Sequence, residues 1–231
     1  MKKVFFLTSL VLCAYVLQAQ TLIPRVGLTL SKIHSDLSLG EKPAAGLMVG
    51  VGYAINLSNA LAIQPEISFV QKGAKGEVDD FIEFEGTSVS IANRTRLDYL
   101  ELPVLLKFTV GSEKIKMHYI GGPALAMCIG GKAETRQTMK TPNGSNTESE
   151  TYGIKFGDVD PEDEENAYIK SRFDFGFQIG TGITIMEKVQ IEFRYSHSFV
   201  NLASQSEFVE RESKATNRVL QFSVGIPIRF N

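Results

Sequence analysis

The sequence predicts an all-β fold, an eight-stranded antiparallel up-and-down transmembrane β-barrel. Three observations carry the expectation. Eight segments alternate with period 2 between an apolar face and a small or polar one, which is the signature of strands with two distinct surroundings. No charged residue falls on the apolar face of any segment. The connections alternate in length: 56–60, 110–114 and 186–188 are short, whereas 32–44, 71–95, 130–169 and 201–216 are long and polar. Short turns on one side of a membrane and long loops on the other describe an outer-membrane barrel, with an even strand number and both termini on the periplasmic side.

The eight segments follow in order. The first sets Val26, Leu28 and Leu30 against Arg25, Gly27, Thr29 and Ser31. The second sets Leu47, Val49, Val51, Tyr53 and Ile55 against Met48, Gly50, Gly52 and Ala54. In the third, Leu61, Ile63, Ile67 and Phe69 oppose Gln64, Glu66 and Ser68. In the fourth, Leu100, Leu102, Val104, Leu106 and Phe108 oppose Tyr99, Glu101, Pro103, Leu105 and Lys107. The fifth pairs Met117, Tyr119, Leu125, Met127 and Ile129 with His118, Gly122, Ala124, Ala126 and Cys128. The sixth pairs Phe173, Phe175, Phe177, Ile179, Ile183 and Ile185 with Arg172, Asp174, Gly176, Gln178, Gly180 and Gly182. The seventh has Val189, Ile191, Phe193, Tyr195 and Phe199 opposite Gln190, Glu192, Arg194, Ser196 and Ser198. The eighth has Leu220, Phe222, Val224, Ile226, Ile228 and Phe230 opposite Gln221, Ser223, Gly225 and Arg229.

Periodicity does not say which face looks inward; volume does. The apolar face carries about 40 large side chains, and the interior of an eight-stranded barrel is only just wide enough to fill with side chains. Inside, that set would overfill the lumen. The other face carries glycines, which suit a crowded interior and would weaken an exposed strand. It also carries Arg25, Glu66, Glu101, Lys107, Glu192, Arg194 and Arg229. At mid-depth against lipid, each Arg or Lys would cost about 2–4 kcal/mol; in the lumen they can pair. The apolar face is therefore expected to meet lipid, and a soluble barrel with a greasy interior is the competing reading.

Export is read from the first nineteen residues. Met1-Lys2-Lys3 is a basic start, residues 4–17 are nearly all apolar, and Ala19 supplies a small residue for cleavage, the three parts of a secretory signal peptide. Residues 1–19 are expected to be removed, leaving 20–231 as one barrel domain. Cys13 is preceded by Leu12, where a lipoprotein signal needs a small residue. Only Cys128 then remains, so no internal disulfide is expected. A formal charge of −2 gives no basic footprint for nucleic acid. No cofactor is expected.

Two segments carry a family resemblance. Leu97-Asp98-Tyr99-Leu100-Glu101-Leu102-Pro103-Val104-Leu105-Leu106-Lys107-Phe108 resembles the Tyr-Leu-Glu-x-Pro-Leu-Leu-x-Lys strand of the PorT-like outer-membrane β-barrel family of Bacteroidetes. Phe173-Asp174-Phe175-Gly176-Phe177-Gln178-Ile179-Gly180-Thr181-Gly182-Ile183 resembles its Asp-x-Gly-x-x-x-Gly-x-Gly strand, and Arg194-Tyr195-Ser196 and the final strand fit as well. The resemblance implies outer-membrane localisation. PorT itself is associated with type IX secretion of surface proteins, whereas most members have no assigned role, and no catalytic residues carry over. The ending Ile226-Pro227-Ile228-Arg229-Phe230-Asn231 resembles the aromatic-terminated signal read by the outer-membrane assembly machinery, displaced by one residue because Asn231 follows Phe230.

The lumen charges are expected to form a mutually paired plug, with a narrow conduction path as the alternative. Asp158, Asp160 and Glu162 have the 1-3-5 spacing of a calcium loop, but Asp163 stands at the sixth position and Ile169 at the twelfth, so residues 158–165 read as a solvated loop. Lipid A deacylases place a serine two residues after a histidine; here Phe199 occupies that position, and Ser196 and Ser198 lie on the face opposite His197. No enzyme is expected. His34 and Asp36 share a face without enough ligands for a metal, and His118 and Cys128 are expected in the lumen. Loop 130–169, with no clear strand pattern and a polar stretch at 135–151, is the expected contact surface. The partners expected are outer-membrane lipid and lipopolysaccharide, the assembly machinery, and envelope or secretion proteins. The functional expectation is non-enzymatic surface contact, with an accessory role in secretion second and a pore or lipid-modifying enzyme third.

Overall fold

Strands here are longer than the apolar pattern that announces them. The computed structural model describes residues 20–35, 42–84, 87–163, 165–204 and 214–229. The signal segment, Asp36, Phe230 and Asn231 lie outside the described residues. The strands are β1 (Gln20–Ser35), β2 (Lys42–Asn56), β3 (Leu61–Phe84), β4 (Thr87–Gly111), β5 (Ile115–Thr141), β6 (Gly144–Phe156), β7 (Asn166–Ile169), β8 (Phe173–Ile185), β9 (Val189–Ser198), β10 (Ala215–Gly225) and β11 (Ile228–Arg229).

Eight of them close a ring in the order β1-β2-β3-β4-β5-β8-β9-β10, each antiparallel to the next, with β10 returning to β1 from Arg25↔Gly225 to Ser35↔Ala215. Closure leaves the ring no free edge, as a spanning sheet in hydrocarbon requires. The faces fall as the volume argument requires. Val26, Leu28, Leu47, Val49, Leu102, Val104, Phe175 and Phe193 are exposed on the outside, while Arg25, Glu66, Glu101, Lys107, Glu192 and Arg194 are buried inside. Glycine makes room where strands and lumen crowd: a Cβ on Gly176 would run into the backbone of His197 and Ser198 across the strand pair.

Two expected long loops are strand instead. β3 continues through residues 71–84 and β4 begins at Thr87, the two strands paired out to Phe84↔Thr87. Within 130–169, β5 runs on to Thr141, β6 returns against it from Thr141↔Gly144 to Lys132↔Gly153, and β7 adds a short parallel strand to β6. The reason is physical. Above the membrane both faces of a strand meet water, so the alternation that marks a strand in lipid disappears, and cross-strand hydrogen bonding holds the chain extended. β-branched residues such as Thr135, Thr138, Thr147 and Thr151 suit that geometry. The Pro142-Asn143 turn is closed by Thr141 Oγ1 donating to the Gly144 carbonyl at 3.0 Å.

The last strand is also broken. β10 ends at Gly225 and β11 resumes at Ile228 against β1, because Pro227 has no N–H to give to a ladder. Arg172 lies just before β8 and is exposed, not on the inner face.

Candidate functional site

The lumen is filled by one connected network of charges and amides. Arg194, fully buried, donates twice to Glu66 (Nη1 to Oε2 at 2.7 Å, Nη2 to Oε1 at 2.8 Å) and through Nε to Glu192. Arg25 donates to the same two carboxylates, Nη1 reaching Glu192 Oε1 at 2.8 Å and Nη2 reaching Glu66. Two arginines thus face two glutamates in a neutral square drawn from β1, β3 and β9. Neutrality matters, because an unpaired ion held away from water costs several kcal/mol (order of magnitude). His118 from β5 completes Glu192, with Nε2 2.9 Å from Oε2.

The network continues towards both ends. On the periplasmic side Lys107 Nζ donates to Gln190 Oε1 at 3.0 Å, and Gln190 Nε2 donates to Glu192 Oε2 at 3.0 Å. On the extracellular side Gln178 Nε2 donates to Glu101 Oε2 at 3.1 Å, and Glu101 is paired with Lys72 at 2.7 Å. Lys72 also approaches Asp174 at 3.5 Å and lies 4.4 Å above the Tyr99 ring. Six of the seven charges expected in the lumen, Arg25, Glu66, Glu101, Lys107, Glu192 and Arg194, are therefore brought into one network.

Arg229 is not among them. Its side chain is 54% exposed and pairs with Glu187 at 2.6 Å, at the periplasmic rim. The register against β1 is unchanged across Pro227, since Thr21↔Arg229 continues Arg25↔Gly225, so Arg229 keeps the inner parity and is exposed because it stands where the lumen opens at its periplasmic end. Sequence reasoning also missed Lys72, assigned to a loop because the apolar alternation stops at Phe69. The signal that could have found it is parity: Lys72 stands an even number of residues after Glu66. Asp174, expected on the inner face, is buried there and meets Lys72 and Ser198.

Above the charges the extracellular mouth is closed by an apolar cap. Leu97, Tyr99, Ala126 and Cys128 of the wall pack against Ile169 and Leu202, with Ile154, Phe156 and Ala215 around them. The backbone ties the cap together: Lys170 N–H donates to the Leu202 carbonyl at 3.1 Å, and Leu202 N–H to that of Ala215 at 2.8 Å. The periplasmic end is different. There a polar cavity of about 650 Å³ opens among Gln20, Asn56, Ser58, Thr109 and Thr184 and ends at Lys107 and Gln190. At its rim Glu187 bridges Lys116 and Arg229, and both cations hold its carboxyl below the usual glutamate range.

The profile of the outer membrane protein beta-barrel domain matches residues 18–204. The chain belongs to that family. It is accordingly a protein of the outer membrane, and the lipid-facing apolar surface is explained. No curated sequence matches it. Among solved structures it is similar to Ail, the attachment invasion locus protein of Yersinia pestis, at 13% identity and a TM-score of 0.43, over 91% of this chain and 99% of that one. It is also similar to OprG of Pseudomonas aeruginosa (9% identity, TM-score 0.41, 92% and 97% covered) and to the outer membrane protease OmpT of Escherichia coli (10%, 0.37, 93% and 97%). At such identities these likenesses concern architecture alone.

Within this outer-membrane barrel the remaining candidates take definite places. His197 looks outward between Tyr195 and Phe199, ring centroids 6.4 and 5.4 Å away, while Ser196 and Ser198 are buried on the lumen side. A Ser–His couple is geometrically out of reach there. Asp163, in the acidic stretch, accepts from Lys155 Nζ at 2.7 Å, Tyr168 Oη at 2.6 Å and Asn166 Nδ2 at 2.9 Å. It is the clasp of its loop, and these donors push its pKa down, the Lys155 hydrogen bond most. Among the described residues, no group of three His, Cys, Asp or Glu side chains could hold a metal ion. His34 continues the outward face of β1 opposite Thr216, and Cys128 is buried in the cap.

Proposed function

We propose that this outer-membrane protein is non-enzymatic and acts by contact at the cell surface, through the sheet its strands raise above the membrane. One observation carries the reading. β3, β4 and β5 have 24, 25 and 27 residues, against the roughly 9–11 a strand needs to span a bilayer. The surplus amounts to about 45–60 Å of strand per chain segment at the usual rise. It forms one continuous antiparallel sheet with β6, whose residues from Gly144 to Glu150 are exposed. Such an ordered platform offers a partner a surface whose geometry is fixed in advance, so little ordering entropy opposes binding. Envelope proteins and lipopolysaccharide are the partners in this reading, and the assembly machinery acts through the C-terminal aromatic strand. The filled lumen supports a contact role over a conducting one.

The test is to remove residues 136–149, which leaves Thr135 and Glu150, cross-strand partners, to be joined by a two-residue turn. The shortened protein is expected to keep its folded, heat-modifiable electrophoretic mobility and to lose crosslinked partners on intact cells. An unchanged crosslinking profile would refute the contact role.

The resemblance of the Tyr99–Lys107 strand and the glycine-rich Phe173–Ile183 strand to PorT-like barrels of Bacteroidetes supports a second reading, an accessory part in protein secretion. The secreted-protein profile of a deletion strain tests it, and a normal profile rejects it.

A further inference from the structure

We propose that Lys32, Arg218 and His197 form a docking site on the outer wall of the barrel for the phosphate of an outer-leaflet glycolipid. Lys32 and Arg218 end the apolar band on two adjacent strands, and His197 interrupts it on the third, between Tyr195 and Phe199. On β1 the outward positions read Val26, Leu28, Leu30 and then Lys32; on β10, towards the extracellular end, they read Val224, Phe222, Leu220 and then Arg218; on β9 they read Phe193, Tyr195 and then His197. The register sets them side by side. Lys32 is the direct cross-strand partner of Arg218, and Arg218 that of His197.

Directly opposed residues on antiparallel strands have Cβ atoms about 5 Å apart, and like charges in that position destabilise the pair. Lys32 and Arg218 are such a pair, and neither takes part in any salt bridge among the described residues. Among the described residues, the outward neighbours Leu30, Leu220, Tyr195, Phe177, Phe199 and His34 include no carboxylate. An anion bridging the two cations removes the repulsion. Its source follows from what lies below and beside: Leu30, Leu220 and Tyr195 below, and Phe177 beside His197, present an apolar surface to acyl chains, so an anion held at that surface is attached to lipid. The His197 ring is steadied by Tyr195 and Phe199 and offers an N–H donor beside the guanidinium. Cations alone would concentrate any anionic headgroup; cations aligned over an acyl-chain surface select a phosphorylated lipid.

The full chain, folded in a neutral detergent, is titrated by native mass spectrometry with diphosphorylated lipid A and with the same lipid after dephosphorylation. A saturable one-to-one adduct is expected with the phosphorylated lipid only. Lys32→Gln/Arg218→Gln is expected to weaken it about thirtyfold, and Lys32→Gln alone about fivefold, from the usual contribution of a basic residue at an anionic membrane surface. Lys114→Gln/Lys188→Gln, which removes two exposed cations from the periplasmic turns, is expected to leave it unchanged. Equal binding of the two lipids, or an affinity indifferent to Lys32 and Arg218, would overturn the proposal. Should the double variant fail to fold, the single variant decides.

Discussion

Replacing Arg194 by methionine is the sharpest probe of the lumen. Arg194 makes two hydrogen bonds to Glu66 and one to Glu192, and its side chain is 1% exposed. Methionine keeps an unbranched side chain in the space but removes the charge, so the square of two arginines and two glutamates goes from neutral to one net negative charge. Breaking a buried pair in this way costs about 3–5 kcal/mol. Arg136→Met on the extracellular sheet breaks the exposed pair with Glu134 (side chains 56% and 38% exposed) and is expected to cost at most about 1 kcal/mol. Adding Glu66→Gln to Arg194→Met restores neutrality between Arg25 and Glu192, and more than half of the lost stability is expected to return. The assay is urea unfolding in phospholipid vesicles, read by the mobility of the folded barrel on gels; the chain has no tryptophan to report fluorescence. A loss below about 1 kcal/mol for Arg194→Met, the range of a solvated pair, would mean that water fills the lumen and would refute the plug.

Three further outcomes follow from the same geometry. Planar-bilayer recordings of the intact protein are expected to give no discrete conductance, because the charge network and the Leu97–Tyr99–Ile169–Leu202 cap lie in series; steady single-channel steps would contradict this. Gly176→Val is expected to prevent folding to the heat-modifiable form, since a side chain there meets the His197 backbone, whereas Gly76→Ala, with open space around the position, is expected to fold normally. Acidification tests the Asp163 clasp. Its folded pKa is depressed, so its contribution to stability is fully present above the ordinary aspartate value of about 3.9 and is lost only as pH falls through the lower folded value. Amides between residues 155 and 169 are therefore expected to keep their hydrogen-exchange protection from pH 7 to pH 4, and Asp163→Asn to reduce it at both.

Much of the barrel could be read from residues alone because the information is local. A strand in a membrane must send alternate side chains to lipid and to lumen, so parity from Val26 or Phe193 assigns Arg25 and Arg194 inward without knowledge of the neighbours. The limits of this reading lie where parity stops carrying information. Residues 76–84, 87–95, 130–141 and 144–156 are strand because a neighbour pairs with them, and beyond the membrane their sequence keeps no two-sided pattern. The apolar cap is a meeting of Leu97, Ile169 and Leu202, distant in sequence and unremarkable one at a time.

The strand faces, the ring of eight and the inward placing of Arg25, Glu66, Glu101, Lys107, Glu192 and Arg194 all follow from side-chain period and volume, which the residues carry one strand at a time. Which charge meets which is set only when the strands lie side by side. Arg194 could have paired with any inward carboxylate; strand register brings it to Glu66 and Glu192, brings Lys72 to Glu101, and sets Arg229 at the open periplasmic end, where it meets Glu187. Pairing is a property of two strands at once, and a period read along one strand cannot contain it.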